Sequence, residues 1–187
     1  ANTTASNNTA VGNAALGANT TGSENTSLGY SALENNTTGA SNTAAGAYAL
    51  EENTTGDNNS ALGYLALTAN TTGSSNTGIG KDSLRDNTTG ADNTGCGTFT
   101  LRGLTTASYN TAVGRGALIN NNGDSNTGVG RAALYTNTTG TQNTAVGDMA
   151  LDASSTASNN TALGYKALTE DTTGAENTAV GSYALDA

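Results

Sequence analysis

The chain contains no histidine, proline or tryptophan, and only one cysteine (Cys96), one phenylalanine (Phe99) and one methionine (Met149). Without histidine the commonest general base and metal ligand is missing, and neither a Ser-His-Asp nor a Cys-His constellation can be assembled. A lone cysteine offers no intrachain disulfide and no zinc-ligand spacing. Basic residues are scarce: six Lys and Arg stand against fifteen Asp and Glu, a net charge of -9. That balance excludes the basic footprint of a nucleic-acid binder and disfavours anionic membranes. No apolar run is long enough to span a bilayer, so no membrane insertion is expected in this segment. Because residue 1 already lies inside a repeat, a signal peptide is not expected here either. Calcium-loop and phosphate-loop glycine patterns are also missing. The sequence therefore nominates no catalytic residue, no metal ligand and no cofactor, and the chain is expected not to be an enzyme.

What remains is small and polar. Hydrophobic residues make up 34% of the chain and aromatic residues 4%, a composition that resembles a disordered chain until the 11% of charged residues is considered. Disordered segments carry far more charge or proline.

The order lies in a repeat. A unit of seventeen residues recurs eleven times, opening at Asn8, Asn25, Asn42, Asn59, Asn76, Asn93, Asn110, Asn126, Asn143, Asn160 and Asn177. A period of this kind marks a solenoid whose coils bury their faces only against one another. Residues 1–187 thus read as a single repeat array. With the Asn as position 0, position 1 is Thr in every copy but one (Ser60), position 2 is small, position 3 is mostly aliphatic and position 4 is always Gly. That alternation predicts a short strand ended by a glycine turn or a close backbone approach. Positions 5 and 6 vary freely and read as solvent-facing. Position 8 is always Leu, from Leu16 to Leu185, and most units close on Thr-Thr-Gly. Helix is disfavoured by the absence of a 3.6-residue period and by the abundance of Thr, Asn and Gly.

The predicted fold is all-β: a parallel β-solenoid, or β-roll, of about eleven coils and a length of roughly 50 Å at the strand spacing. Positions 3 and 8 are expected to be buried, Cys96 at position 3 among them. The invariant asparagines are expected to stack as a hydrogen-bonded ladder. Two aliphatic residues per coil are a thin core, which favours association of several chains.

Three surface features are candidates for function. Tyr30, Tyr48, Tyr64, Tyr165 and Tyr183 occupy the variable positions 5 and 6, where aromatics could stack on sugars or meet a partner, or cover neighbouring backbone. Acidic residues near the closing turn (Glu24, Asp57, Asp92, Asp124 and Glu176) read as a solvated edge. Asn-x-Ser/Thr sequons recur at position 11, at Asn19, Asn36, Asn53, Asn70, Asn87 and Asn137, with others at Asn2, Asn7, Asn25, Asn35, Asn58 and Asn159. These are candidate glycosylation sites in a secreted protein. Ala1 and Ala187 fall at the same point of the repeat, as expected for a piece of a longer array or a stackable filament unit. One unit, Asn110 to Asn126, is sixteen residues long, with the shortening placed between Ile119 and Gly123.

The core Asn-Thr-Ala-Val-Gly-x-x-Ala-Leu, as at Asn8–Leu16 and Asn143–Leu151, resembles the head repeat of trimeric autotransporter adhesins and is similar to arrays in phage tail-fibre shafts. That resemblance implies a left-handed β-roll and a homotrimer. Two features depart from the adhesin pattern: the longer period, and Thr in place of the usual Val at position 1. The expected function is an extracellular or virion-surface fibre, a shaft or head mediating attachment. Its expected partners are further copies of the chain (a trimer or a head-to-tail filament) and glycans or a cell-surface receptor. Two alternatives stand beside it: a binding module using regular Thr and Asn rows for polysaccharide or ice, and a self-assembling filament without a dedicated receptor.

Overall fold

The computed structural model describes residues 3–170 and 173–186. Eleven three-residue strands, from Thr9–Val11 to Thr178–Val180, form one parallel sheet in strict chain order. Each strand pairs in register with the equivalent residues of the next, as Thr9 with Thr26 and Val11 with Leu28. The fold is an all-parallel β-solenoid of about eleven coils of seventeen residues.

Only positions 1 to 3 are strand, yet hydrogen bonding between coils continues around the whole perimeter. Backbone N–H groups at positions 4, 6 and 16 donate to the preceding coil, as in Gly46 to Leu28 O (2.8 Å), Tyr48 to Tyr30 O (2.9 Å) and Asn58 to Ala40 O (3.0 Å). Those at positions 1, 8, 10 and 12 donate to the following coil, as in Thr43 to Asn59 O (2.8 Å), Leu50 to Ala66 O (3.0 Å), Glu52 to Thr68 O (3.0 Å) and Thr54 to Thr71 O (2.9 Å).

Reversing the donor direction outside the strand requires a left-handed backbone. Position 6, position 8 and position 16 all carry positive φ, and the leucines of position 8 lie between 48° and 55°. A left-handed β-branched residue is strongly disfavoured, whereas γ-branched Leu is tolerated. This explains why the core aliphatic is always Leu and never Val or Ile. At position 4 the reason for glycine is different. Gly46 has φ +144°, and a Cβ there would meet Gly63 O of the next coil at 2.4 Å.

The core differs from the sequence expectation at one row. Leu at position 8 is buried throughout the interior coils, with Ala, Ser83 or Thr100 at position 7 and Ala, Gly or Ser at position 2. Position 3 is not buried: Val11, Leu28, Leu62, Ile79, Val113, Val146, Leu163 and Val180 are exposed, and so is Cys96. The cause is strand alternation, which places positions 0 and 2 on one face and positions 1 and 3 on the other. The asparagines hold the inward face, so the aliphatics of position 3 face out. The interior of a coil is one leucine, small residues and amides.

Position 8 supplies a direct test of the left-handed constraint. Leu84→Ile should lower stability by more than the ~1.5 kcal/mol of an ordinary volume-conserving swap, whereas unbranched Leu84→Met should stay below it. Urea melts followed by circular dichroism measure both, and equal losses would contradict the backbone explanation.

Candidate functional site

The inward asparagines form two ladders with different chemistry. At position 0 the side-chain carbonyl accepts from the backbone N–H of the next coil's Asn, beginning with Asn25 N to Asn8 Oδ1 at 2.8 Å. The same link repeats without a break through Asn42, Asn59, Asn76, Asn93, Asn110, Asn126, Asn143, Asn160 and Asn177. The amide nitrogen donates to the closing-turn carbonyl, as in Asn25 Nδ2 to Gly39 O at 2.8 Å. This ladder therefore ties side chain to backbone, with direct amide-to-amide bonds only in places, as from Asn93 to Asn76 at 3.2 Å.

Position 11 holds the continuous amide-to-amide ladder. Asn36, Asn53, Asn70 and Asn87 each donate Nδ2 to Oδ1 of the preceding member at 2.8 Å, starting from Asn19. A second short run joins Asn137 to Asn121. These are the residues that the sequons nominate for glycosylation, and Asn19, Asn36, Asn53, Asn70, Asn87 and Asn137 are all fully buried. A glycan on Nδ2 would have to break the ladder bonds and enter a closed interior, so these six are corrected from glycan acceptors to core residues. The sequon asparagines at position 16 (Asn7, Asn58 and Asn159) are exposed instead, while Asn2 lies outside the described residues.

The ladder stops where the sequence changes. Leu104 and Ser154 occupy position 11 in their coils, and the carbonyls of Asn87 and Asn137, one coil earlier, are buried without a donor. The same two coils carry Ala107 and Ala157 in place of Gly at position 14. The reason is steric: a Cβ on Gly90 would sit 2.2 Å from Ala107 O of the next coil and 2.5 Å from Asn87 Oδ1. In the described seventeen-residue coils a buried amide at position 11 therefore goes with glycine three residues later, while buried Asn121 of the sixteen-residue coil has Gly123 two residues on. The sixteen-residue coil is repaired by a side chain. Asn122 Oδ1 accepts from Thr105 N (2.8 Å) and Thr105 Oγ1 (2.9 Å), standing in for the backbone carbonyl that serves Thr88 from Thr105.

Outside the core, the surface divides in two. The sheet face presents Thr or Ser at position 1 beside the aliphatic row at position 3, and no charged residue occurs at either position. Beyond the Gly corner, positions 5, 6 and 9 carry all six basic residues, Phe99 and six of the seven tyrosines. Tyr30, Tyr48 and Tyr64 pack edge to face along the rod, with centroids 5.2 and 6.1 Å apart, and Tyr165 packs likewise on Tyr183 at 5.2 Å. The aromatic candidates thus form one group of three and one of two. Two carboxyls on this flank, Glu51 and Asp152, are pushed above the usual carboxylate range. Burial is the main cause in both, reinforced at Glu51 by Glu52 and Glu34 and opposed at Asp152 by Lys166.

Among the described residues no three His, Cys, Asp or Glu side chains are placed to hold a metal ion, and no helix is long and apolar enough to cross a membrane. Compared with protein-family models, curated proteins and solved structures, the chain matches none of them.

The link between position 11 and position 14 can be measured. Leu104→Asn alone should be destabilising, because Ala107 would crowd the new amide; adding Ala107→Gly should recover more than the sum of the two single effects. The expected coupling is about 1–3 kcal/mol, the scale of satisfying a buried carbonyl. A double-mutant cycle by chemical denaturation reads it, and strictly additive effects would refute the pairing.

Proposed function

We propose that this chain is a structural segment of an extracellular or virion-surface fibre, a non-catalytic solenoid shaft or head whose sheet face packs against further copies of itself. The observation that carries this reading is the sheet face. Nine of its eleven position-3 side chains are exposed, in a row running from Val11 to Val180. An apolar strip of that length on a free surface is a mark of association. The strip repeats at the coil spacing over roughly 50 Å, so a partner matching it knob for knob needs the same pitch, and another copy of the chain has it. The face carries no charge in a chain of net charge -9, so like-charge repulsion does not oppose self-association there. The resemblance to trimeric adhesin heads supports three copies around a common axis, and the Thr row supplies hydroxyls at the edge of such a contact.

A second reading rests on those same hydroxyls. Among the described residues, position-1 threonines such as Thr26 and Thr43 use their backbone in the ladder and face outward beside the aliphatic row. A flat Thr and Val lattice could instead bind ice or a crystalline polysaccharide. The Asn rows take no part in this, because they are buried. Both readings use one face, so they compete for it.

Sedimentation equilibrium of the purified chain distinguishes them. The wild type should sediment as a small oligomer, and Val113→Lys with Val146→Lys should give a monomer with unchanged circular dichroism. A wild type that stays monomeric at high micromolar concentration would sink the fibre reading, and thermal hysteresis in that monomer would favour the ice-binding one.

A further inference from the structure

The basic residues are unevenly placed along the rod. Between residues 93 and 142 the chain carries Arg102, Arg115 and Arg131 against a single acid, Asp124, while the remainder is strongly acidic. The three arginines line one groove of about 490 Å³ on the aromatic flank, together with Phe99, Tyr135 and Asp152.

Two of these arginines lack a carboxylate. Arg85 is held by Asp86 at 2.7 Å and Arg131 by Asp148 at 3.0 Å, but among the described residues Arg102 and Arg115 form no ion pair. Instead both guanidiniums crowd Phe99, at 5.5 and 5.9 Å from its ring centre, with Lys81 at 5.8 Å. Lys81 is paired with Asp82 at 3.9 Å, but the two unpaired guanidiniums around one ring repel one another, and each cation–π contact offsets only about 0.5–1 kcal/mol of that at an exposed site. Arg102 Nε is in addition buried with no hydrogen-bond partner. The groove therefore concentrates positive charge where an anion would relieve the repulsion.

We propose that this groove binds an acidic polysaccharide through the carboxylates of successive sugar rings. Arg115 and Arg131 occupy position 5 of consecutive coils and so are spaced at about 4.8 Å along the rod, comparable to the length of one pyranose ring in an extended chain, while Arg102 lines the groove from position 9 of the preceding coil. The planar guanidinium fork matches a carboxylate bidentately. Exposed Tyr135 offers an aromatic face for the apolar side of a sugar. Asp152, on the wall, is an acceptor suited to a sugar hydroxyl and unsuited to a second anion, which favours a sugar carrying both groups over a phosphodiester chain. The site lies beyond the Gly corner, off the sheet face, so it does not depend on how copies of the chain associate.

Fluorescence anisotropy with end-labelled oligogalacturonate as the probe tests the assignment on the full chain, whatever its oligomeric state. Saturable, salt-sensitive binding is expected, absent with a neutral dextran oligosaccharide. Exposed Arg115→Gln should weaken it about tenfold or more, the scale of a lost hydrogen bond to a charged group, with Arg115→Lys intermediate. Lys166→Gln, outside the groove, should change it less than about twofold. The assignment is overturned by no saturable binding, by Arg115→Gln binding like the wild type, or by single-stranded oligothymidylate binding as tightly as the polyuronate. A monomeric chain in the sedimentation test would leave this readout intact, so the two proposals fail separately.

Discussion

Every coil of this protein must hydrogen-bond to its neighbours around its full circumference, and the other features follow from that requirement. A parallel sheet three residues wide could not hold a seventeen-residue coil in place. The remaining backbone is held because its N–H groups point first to the coil before, at positions 4 and 6, then to the coil after, at positions 8, 10 and 12, and back again at position 16. Such reversals need left-handed residues at positions 6, 8 and 16, and they draw the coils together until nothing larger than hydrogen fits at position 4. The repeat is strict because a change of shape in one coil would break bonds on both of its faces. The sixteen-residue coil is the exception that shows the rule, since Asn122 replaces a missing backbone carbonyl with its own amide oxygen.

The interior follows the same economy. One leucine per coil contributes on the order of 1.5–3 kcal/mol, and most of the remaining inward volume is amide. Buried amides are costly unless satisfied, and satisfying them from an unbroken stack is straightforward, because each coil offers the same donor and acceptor one strand spacing away. Both ladders converge on the closing turn: Gly39 O accepts from Asn25 Nδ2 at 2.8 Å and from Asn36 Nδ2 at 3.0 Å. This explains how a chain with 34% hydrophobic residues holds a defined core. It also explains why the network frays at particular residues, Leu104 and Ser154, and not gradually.

The period, the parallel stack, the glycine corner and the leucine row were all legible in the sequence, because each is an exact recurrence of one residue type. The direction of position 3 was not. Aliphatics at that row and asparagine at position 0 invite the ordinary assignment of apolar in and polar out, and only the bonds made by the amides reverse it. Position 11 is hidden in the sequence for a related reason: Asn before Thr-Thr-Gly looks like a glycan acceptor. One signal could have exposed it. Leu104 occurs with Ala107 and Ser154 with Ala157, whereas the fully buried position-11 asparagines of the other described seventeen-residue coils occur with glycine three residues on. A surface glycan site places no such demand on its neighbour, but a packed amide does.

With the inside fixed, variation is confined to the outside, and there the two flanks have separate characters. The sheet face is uncharged and nearly constant, as suits contact with a surface of the same pitch. The flank at positions 5, 6 and 9 lies around the glycine corner and carries the variable aromatic and basic residues. If copies of the chain pack through the sheet, that flank stays in solvent, and the rigid ladders hold its side chains at fixed intervals along the rod. Arg102, Arg115 and Arg131 are then a local sign reversal displayed on an otherwise acidic solenoid. General solubility does not require such a reversal, since net charge alone supplies that. Two guanidiniums within reach of one aromatic ring, Arg102 and Arg115, that form no ion pair among the described residues of a chain with fifteen acidic residues are better explained by a ligand that brings the counter-charge with it.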